Sequence, residues 1–287
     1  YWTGDGWTFV NEDYFVELEG NDYFPEMMIG RFTNYNGTSG GGEYILQIMV
    51  NKFLKYEKYP NISETAWYKK GIVCSNNQFQ SQVDTKRFAA QLMLQNGGFT
   101  SVDTMMSNWQ CTYDENDIVA AINNGRSYLN YRGEGWSDGW HANCYYFNTS
   151  YVNSLNNSNK LTFVTSIGCG VAMFDEGNCF GETWIEMGSL TEPPRGACAF
   201  IGPTSNTHTA YNNSIDKGIY MGLFPQILQP ITSLDSPGEA LLAGKLFMYQ
   251  QFGGSDPYVQ YHYKIYCVLG DPSMHIWKDI PKPVTVT

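Results

Sequence analysis

The chain has little of what metal-binding, nucleotide-binding and membrane-spanning proteins need. Its seven cysteines form no Cys-x-x-Cys pair, so we do not expect a zinc site. The glycine run Gly40-Gly-Gly42 is not followed by Lys-Ser/Thr and therefore is not a phosphate loop. No apolar stretch approaches the roughly 18 residues of a membrane helix. Calcium is possible in so acidic a chain, but no EF-hand spacing indicates it, and no cofactor is predicted.

Basic residues are also scarce. The 287 residues include 17 Lys and Arg against 28 Asp and Glu, which gives a net charge of −11. Such a charge disfavours nucleic acids and anionic membranes as partners, because their phosphates would be repelled. A hydrophobic content of 43% with 16% aromatic residues instead predicts a folded core, in one large α/β domain or two small ones.

Strand-like and helix-like stretches alternate along the chain. The pattern predicts helices at 43–58, 83–95, 117–122, 219–228 and 237–251, a strand at 71–75, an aromatic-rich strand segment within 1–34, and a polar loop at 203–215. Strands that alternate with helices favour a mostly parallel sheet that is covered on both faces.

Two of the apolar strands each end in a turn that presents one reactive side chain between glycines. Ser127-Tyr-Leu-Asn-Tyr-Arg-Gly-Glu-Gly135 presents Glu134, and Leu161-Thr-Phe-Val-Thr-Ser-Ile-Gly-Cys-Gly170 presents Cys169. The flanking residues are Gly133, Gly135, Gly168 and Gly170. Glycine lets the backbone turn sharply after a buried strand, and the carboxyl ends of parallel strands are where catalytic groups collect. We therefore expect one site at the two turns.

This order of motifs resembles the gingipain family of cysteine endopeptidases, which are relatives of the caspases. The resemblance extends over nearly the whole chain, through Gly20–Phe32, Leu155–Leu161, Cys179–Glu182, Gly196–Gly202 and Val268–Met274. It implies a caspase-like α/β fold with a mostly parallel sheet and helices on both faces, and a bacterial protein that is secreted or on the cell surface. It also implies a catalytic domain at 1–280, the start of a following β domain at 281–287, and a family subdomain before residue 1.

The resemblance makes Cys169 the nucleophile and the backbone N–H groups of both turns the oxyanion donors. The family carries a catalytic His on the first turn, where this chain has Glu134. A thiol near pKa 8.5 and a carboxylate near 4.3 differ by about 4 units, roughly 6 kcal/mol, and proton transfer between them forms no ion pair. An ionised Glu134 would also repel a thiolate, so we expect Cys169 to be protonated and weakly reactive.

Two loop histidines are candidate replacement bases. His141 lies seven residues beyond Glu134, and His208 falls where the family builds the wall of its substrate pocket. The same comparison makes Thr207 and His208 candidate substrate-binding residues, together with Asp84 as a possible acidic group for a basic side chain. His262 and His275 are assigned structural roles in the closing helix and strand.

Three functions remain open on the sequence. The first is a catalytically impaired homologue that binds a peptide or protein, or assembles with other domains of a longer secreted chain. The second is an active cysteine endopeptidase that uses Cys169 with His141 or His208. The third is a structural domain of a surface filament or adhesin.

Overall fold

The computed structural model of the chain describes residues 2–4, 7–34, 41–225 and 234–282. The strands are β1 (Trp2–Gly4), β2 (Trp7–Phe9), β3 (Lys70–Ser75), β4 (Ser101–Met106), β5 (Tyr128–Arg132), β6 (Gly135–Trp136), β7 (Gly139–His141), β8 (Tyr146–Asn148), β9 (Thr162–Ile167), β10 (Ala197–Pro203) and β11 (Tyr266–Leu269). The helices are α1 (Gly41–Lys58), α2 (Gln80–Gln95), α3 (Glu115–Asn123), α4 (Thr149–Asn153), α5 (Phe180–Glu186), α6 (Thr209–Leu223), α7 (Pro237–Phe252) and α8 (Pro257–Ile265).

Six strands form the central sheet, in the order β11-β10-β9-β5-β3-β4. All neighbouring pairs are parallel except β10 with β11, which run antiparallel. The inner strands β5, β9 and β10 are buried along their whole length, as expected for a sheet covered on both faces. The predicted mostly parallel α/β fold is confirmed.

The helices form two groups around this sheet. In one group α2, α6 and α7 pack on one another, and in the other α5 packs on α1 and α4. α7 of the first group and α1 and α5 of the second contact β10. A separate antiparallel sheet, β6-β7-β8, begins directly after the turn that carries Glu134. No helix among the residues described above is long and apolar enough to cross a membrane.

The predicted polar loop at 203–215 is wrong in its second half, because α6 begins at Thr209. This first stretch of α6 is rich in Asn, Thr and Ser, which have low helix propensity. Tertiary contacts override that preference, since Asn212 is buried and its side chain is hydrogen-bonded at both ends. The predicted helix at 219–228 is the end of α6, and residues 226–228 lie outside the described residues.

The chain after β11 also differs from expectation. His275 lies beyond the strand, where its Nδ1 is 3.3 Å from Asp235 Oδ2, so its placement in the closing strand is wrong. Pro281 and Lys282 have no regular structure, and the rest of the segment predicted to open a β domain lies outside the described residues.

One disulfide, Cys111–Cys144, ties the loop after β4 to the β7–β8 connection. The sequence alone left all pairings open. Three other cysteines, Cys74, Cys198 and Cys267, are buried in strands. Cys169 is the free cysteine that is partly exposed among those described.

Candidate active site

The two glycine turns lie against each other. They leave adjacent parallel strands at the same level, because Arg132 and Ile167 are the last paired residues of β5 and β9. The Gly133 N–H donates to the Ile167 carbonyl at 3.2 Å. A methyl group at Gly168 would lie 2.9 Å from the Gly133 carbonyl oxygen, closer than normal carbon–oxygen contact. Glycine is therefore required at this position by the close approach of the two turns.

On the far side of Cys169, the backbone of Gly170 has a φ of +59°, a conformation that side chains other than glycine rarely adopt. Its N–H donates to the Ser205 carbonyl at 2.9 Å. The turn that presents the cysteine is thus fixed to the segment that follows β10.

The sulfur of Cys169 is held by Thr207. The Thr207 backbone N–H lies 3.3 Å from Sγ, its hydroxyl oxygen 3.3 Å and its carbonyl oxygen 3.8 Å. The Thr207 hydroxyl oxygen accepts a hydrogen bond of 2.7 Å from Asn212 Nδ2. Throughout the described residues, no imidazole is among the hydrogen-bond partners of this sulfur.

Glu134 reaches the cleft with its backbone rather than its side chain. Its carbonyl accepts from the Tyr131 hydroxyl at 2.5 Å and from the His141 N–H at 3.0 Å. The residue is exposed to solvent. The structure therefore places this carboxylate beside the cysteine turn but in contact with water.

His141 lies directly across the β6–β7 hairpin from Glu134, one pair beyond Gly135 and Trp140. Its Nε2 is 2.8 Å from Asp138 Oδ1, and its ring packs on Tyr146 at 4.7 Å. Burial alone would raise the pKa of Asp138, but hydrogen bonds from Tyr146 and His141 lower it overall. The imidazole is thus engaged with Asp138.

The His208 imidazole is not among the hydrogen-bond partners found for the sulfur in the described residues. The His208 backbone is extended, with φ −110° and ψ 136°, at the residue that precedes α6. The ring packs against Tyr258 at 4.5 Å and His262 at 5.3 Å.

His262 on α8 binds the backbone of the segment that carries Thr207 and His208. Its Nε2 accepts the His208 N–H at 2.9 Å, so its Nδ1 carries the proton and donates to the Tyr258 carbonyl at 2.7 Å. Burial lowers the pKa of His262 to about 3, and the ring is neutral at physiological pH.

Asp84, the predicted acidic residue of the substrate pocket, lies on an exposed face of α2. It accepts from Gln80 Nε2 at 2.8 Å and forms a 3.5 Å ion pair with Arg87. The structure therefore brings Thr207 and the Glu134 turn to Cys169, whereas the Asp84 carboxylate is engaged within its own helix.

The sequence analysis missed three residues that support the Cys169 turn and the Thr207 segment: Arg132, Asn212 and Tyr266. Arg132 is buried below both turns, and Tyr266 donates through its hydroxyl to Asn212 Oδ1 at 2.7 Å. A charged residue at the end of an apolar strand was a usable signal for Arg132. No local pattern indicated Asn212 or Tyr266, because they approach the site from α6 and β11.

The backbone supplies donors for an oxyanion. The N–H groups of Glu134 and Cys169 have no acceptor within the described parts of the chain. Donors of this kind can bind the oxygen that develops negative charge when a carbonyl is attacked. No group of three or more His, Cys, Asp or Glu side chains that could hold a metal ion occurs in the segments described.

A cysteine at the carboxyl end of a central strand, on a mostly parallel sheet flanked by helices, defines the caspase-like class of cysteine peptidase folds. Residues 2–277 match the model of Peptidase family C25, and the chain belongs to that family. It is 26% identical over 206 residues to gingipain R2 of Porphyromonas gingivalis, covering 68% of this chain and 26% of the relative. It is 25% identical over 304 residues to Lys-gingipain W83 of Porphyromonas gingivalis, covering 97% of this chain and 16% of the relative.

The fold agrees with this assignment. The crystal structure of the Arg-specific cysteine proteinase gingipain R superposes with a TM-score of 0.80 at 23% identity, covering 95% of this chain and 60% of the other. The family resemblance and the fold inferred from the sequence motifs are therefore confirmed. The chain spans about a quarter or less of the length of the curated relatives named here.

Proposed function

We propose that this chain is a C25-family domain that binds extended peptide in the Cys169 cleft but hydrolyses amide bonds poorly. It acts as a peptide-binding or assembly module of a longer bacterial protein that is secreted or on the cell surface. The observation that carries the proposal is the absence of any imidazole among the hydrogen-bond partners of Cys169 Sγ in the described residues.

Amide hydrolysis needs a proton donor as well as a nucleophile. The departing amine must be protonated, and a cysteine peptidase uses an imidazolium for this step. Glu134 stands at the corresponding position, and an ionised carboxylate has no proton to give. The His141 imidazole is turned to Asp138.

Peptide binding requires backbone donors and a fixed cleft but no proton donor. The chain has both of these features. The backbone N–H groups of Glu134 and Cys169, which have no acceptor in the described segments, can bind a peptide carbonyl. The two turns are held together by the glycine contact and the Gly133–Ile167 hydrogen bond. The cleft therefore keeps its shape without the catalytic base.

A second candidate is an active endopeptidase that uses His141. Residues opposite each other in an antiparallel pair project to the same face, so the side chains of Glu134 and His141 share one face of the hairpin. Asp138 already holds the imidazole through Nε2. This function requires the ring to leave Asp138 and reach the sulfur when substrate binds.

The test restores the missing base. A mixed library of fluorogenic peptide amides is used to assay the purified wild-type chain and the variants Glu134→His and Glu134→Gln. The Cys169→Ala variant gives the background rate. We expect wild type and Glu134→Gln to remain at the background rate. Glu134→His should gain about 100-fold or more, the usual contribution of a positioned acid–base group. Wild-type cleavage that disappears in both Cys169→Ala and His141→Ala would overturn the proposal in favour of the active endopeptidase.

A further inference from the structure

A buried positive charge lies beneath the Cys169 turn. The guanidinium of Arg132 is 1% exposed. It donates to Asn213 Oδ1 at 2.8 Å and to the carbonyls of Thr209 at 3.2 Å, Gly133 at 3.4 Å and Ile167 at 3.4 Å. All of these acceptors are neutral, and within the described residues no carboxylate is hydrogen-bonded to this guanidinium.

The neighbouring buried charges do not neutralise the guanidinium of Arg132. Lys86 and Asp216 form a fully buried ion pair, which is also bonded to Asn130. Burial lowers the pKa of Lys86 to about 8, so it is mostly charged at neutral pH. Arg132, Lys86 and Asp216 together carry one excess positive charge. An uncompensated buried charge is unfavourable, so this cluster favours an additional anion nearby.

Thr207 offers the sulfur two donors at 3.3 Å, its backbone N–H and its hydroxyl, whereas the Thr207 carbonyl at 3.8 Å accepts only from a protonated sulfur. The Tyr266 hydroxyl donates to Asn212 Oδ1, and Asn212 Nδ2 donates to the Thr207 hydroxyl oxygen. The Thr207 hydroxyl lies 3.3 Å from Cys169 Sγ and is free to donate its proton to a sulfur anion, beside the Thr207 backbone N–H. Burial holds the pKa of Tyr266 well above its usual range, so its phenol keeps the proton that starts the relay.

The remaining titratable groups near the sulfur do not oppose this arrangement. Burial keeps the pKa of Tyr131 well above its usual range, and this ring is neutral. Glu134 is exposed, and water screens its charge. The expectation of a protonated sulfur came from Glu134 alone, whereas the charge buried against the cleft is that of Arg132.

We propose that Arg132 and the relay Tyr266–Asn212–Thr207 hold Cys169 as a thiolate, so that the site contains a charged nucleophile without a proton donor. These four residues are positioning residues. The missing proton donor rests on the proposed function above, whereas the charged sulfur rests on the contacts of Cys169 and Arg132.

The reactivity that follows is selective. A thiolate can attack an electrophile whose leaving group departs without a proton. With iodoacetamide, the sulfur lone pair forms the new carbon–sulfur bond, the carbon–iodine bond breaks, and iodide leaves with the electron pair. No acid is consumed in this step. The other free cysteines described, Cys74, Cys179, Cys198 and Cys267, are buried, so alkylation of the folded chain reports on Cys169.

The experiment measures the rate of iodoacetamide alkylation against pH by mass spectrometry on the whole chain, with Cys169→Ala as background. The test variant is Thr207→Val, which removes the hydroxyl donor, and Thr207→Ser is its rescue. Tyr266→Phe removes the start of the relay. Its matched control is Tyr220→Phe, which removes a buried hydroxyl bonded to Thr165 instead.

We expect the Thr207→Val curve to move about one pH unit higher, with alkylation about tenfold slower at pH 7, as for the loss of one hydrogen bond to a charged group. Thr207→Ser and Tyr220→Phe should follow wild type, and Tyr266→Phe should fall between wild type and Thr207→Val.

Superimposable curves for wild type and Thr207→Val would overturn the proposal, whatever the amide assay gives. Alkylation that is fast and depends on Thr207 would support the thiolate. If the same chain also cleaved peptide amides through Cys169, the thiolate would stand and the proposed impairment of the peptidase would be refuted. Because the Thr207 variants leave the buried guanidinium in place, the outcome does not depend on whether a variant of Arg132 folds.

Discussion

The side chains at positions 132, 134 and 169 set the electrostatics of the cleft. Considered from the sequence, Glu134 beside Cys169 suggested repulsion between two like charges. In the fold, the Glu134 carboxylate faces water, whereas the Arg132 guanidinium is buried beneath the same turn. A buried charge acts through a lower dielectric than an exposed one, so we give Arg132 the larger effect on the sulfur.

This ranking gives a prediction for Glu134→Gln. Removing an exposed charge should change the alkylation rate of Cys169 less than about twofold at physiological salt, because water and ions screen it. The measurement is the pH–rate curve of iodoacetamide alkylation, compared with that of Thr207→Val. An increase of tenfold or more in Glu134→Gln would show that the carboxylate, rather than the buried guanidinium, controls the sulfur.

The sequence was sufficient to place Cys169 and the four glycines on two turns at the ends of strands. Thr207 was predicted as a substrate-binding residue, and its contact with the sulfur was not foreseen. Arg132, Asn212 and Tyr266 lie on three different elements, and their convergence depends on how those elements pack. Such contacts cannot be inferred from spacing along the chain.

At the scale of elements, α8 supports the cleft through the segment before α6. His262 on α8 accepts the His208 N–H, and the adjacent Thr207 holds the sulfur. Because protonation of Nε2 would remove this acceptor, the segment is sensitive to acid.

The pH dependence of stability follows from the pKa of His262. Its value falls from 6.5 in the unfolded chain to about 3 in the folded one, so the unfolded chain binds the proton more readily. The contribution to stability is therefore complete above pH 6.5 and is lost as the pH falls from 6.5 towards 3. At pH 4.5 the loss should be about 2–3 kcal/mol.

Denaturant unfolding of wild type and His262→Gln at pH 7 and pH 4.5 tests this expectation. The glutamine can accept the same backbone N–H but does not titrate, so the stability of wild type relative to the variant should decrease at the lower pH. A difference in unfolding free energy that is the same at both pH values would contradict it.

Helices and strands with strong patterns were predicted closely. The predicted helix at 237–251 is α7, which begins with the Ser236 capping box and Pro237. The start of α6 was missed because its polar residues favour a loop locally and are stabilised only by burial in the fold. The disulfide Cys111–Cys144 was not predicted, since seven cysteines allow many pairings and none is close in sequence.

For the whole molecule, alternation of strands and helices predicted the sheet, and the ordered motifs predicted the family. The resulting scaffold separates two requirements of a cysteine peptidase. Its strand ends present Cys169 and the backbone N–H groups that we propose as oxyanion donors, and the proposed site of proton donation is a single side chain at position 134. Under the function proposed above, the chain keeps the first requirement without the second.

This separation is tested most directly by pre-steady-state reactions of the wild-type chain with an excess of matched peptide thiobenzyl esters or p-nitroanilides. A thiolate leaving group departs without a proton, whereas an aniline must be protonated. We predict a Cys169-dependent burst of thiol, stoichiometric with the chain, and no release of nitroaniline above the Cys169→Ala background. Release of nitroaniline at a rate comparable to that of the thiol would contradict the account.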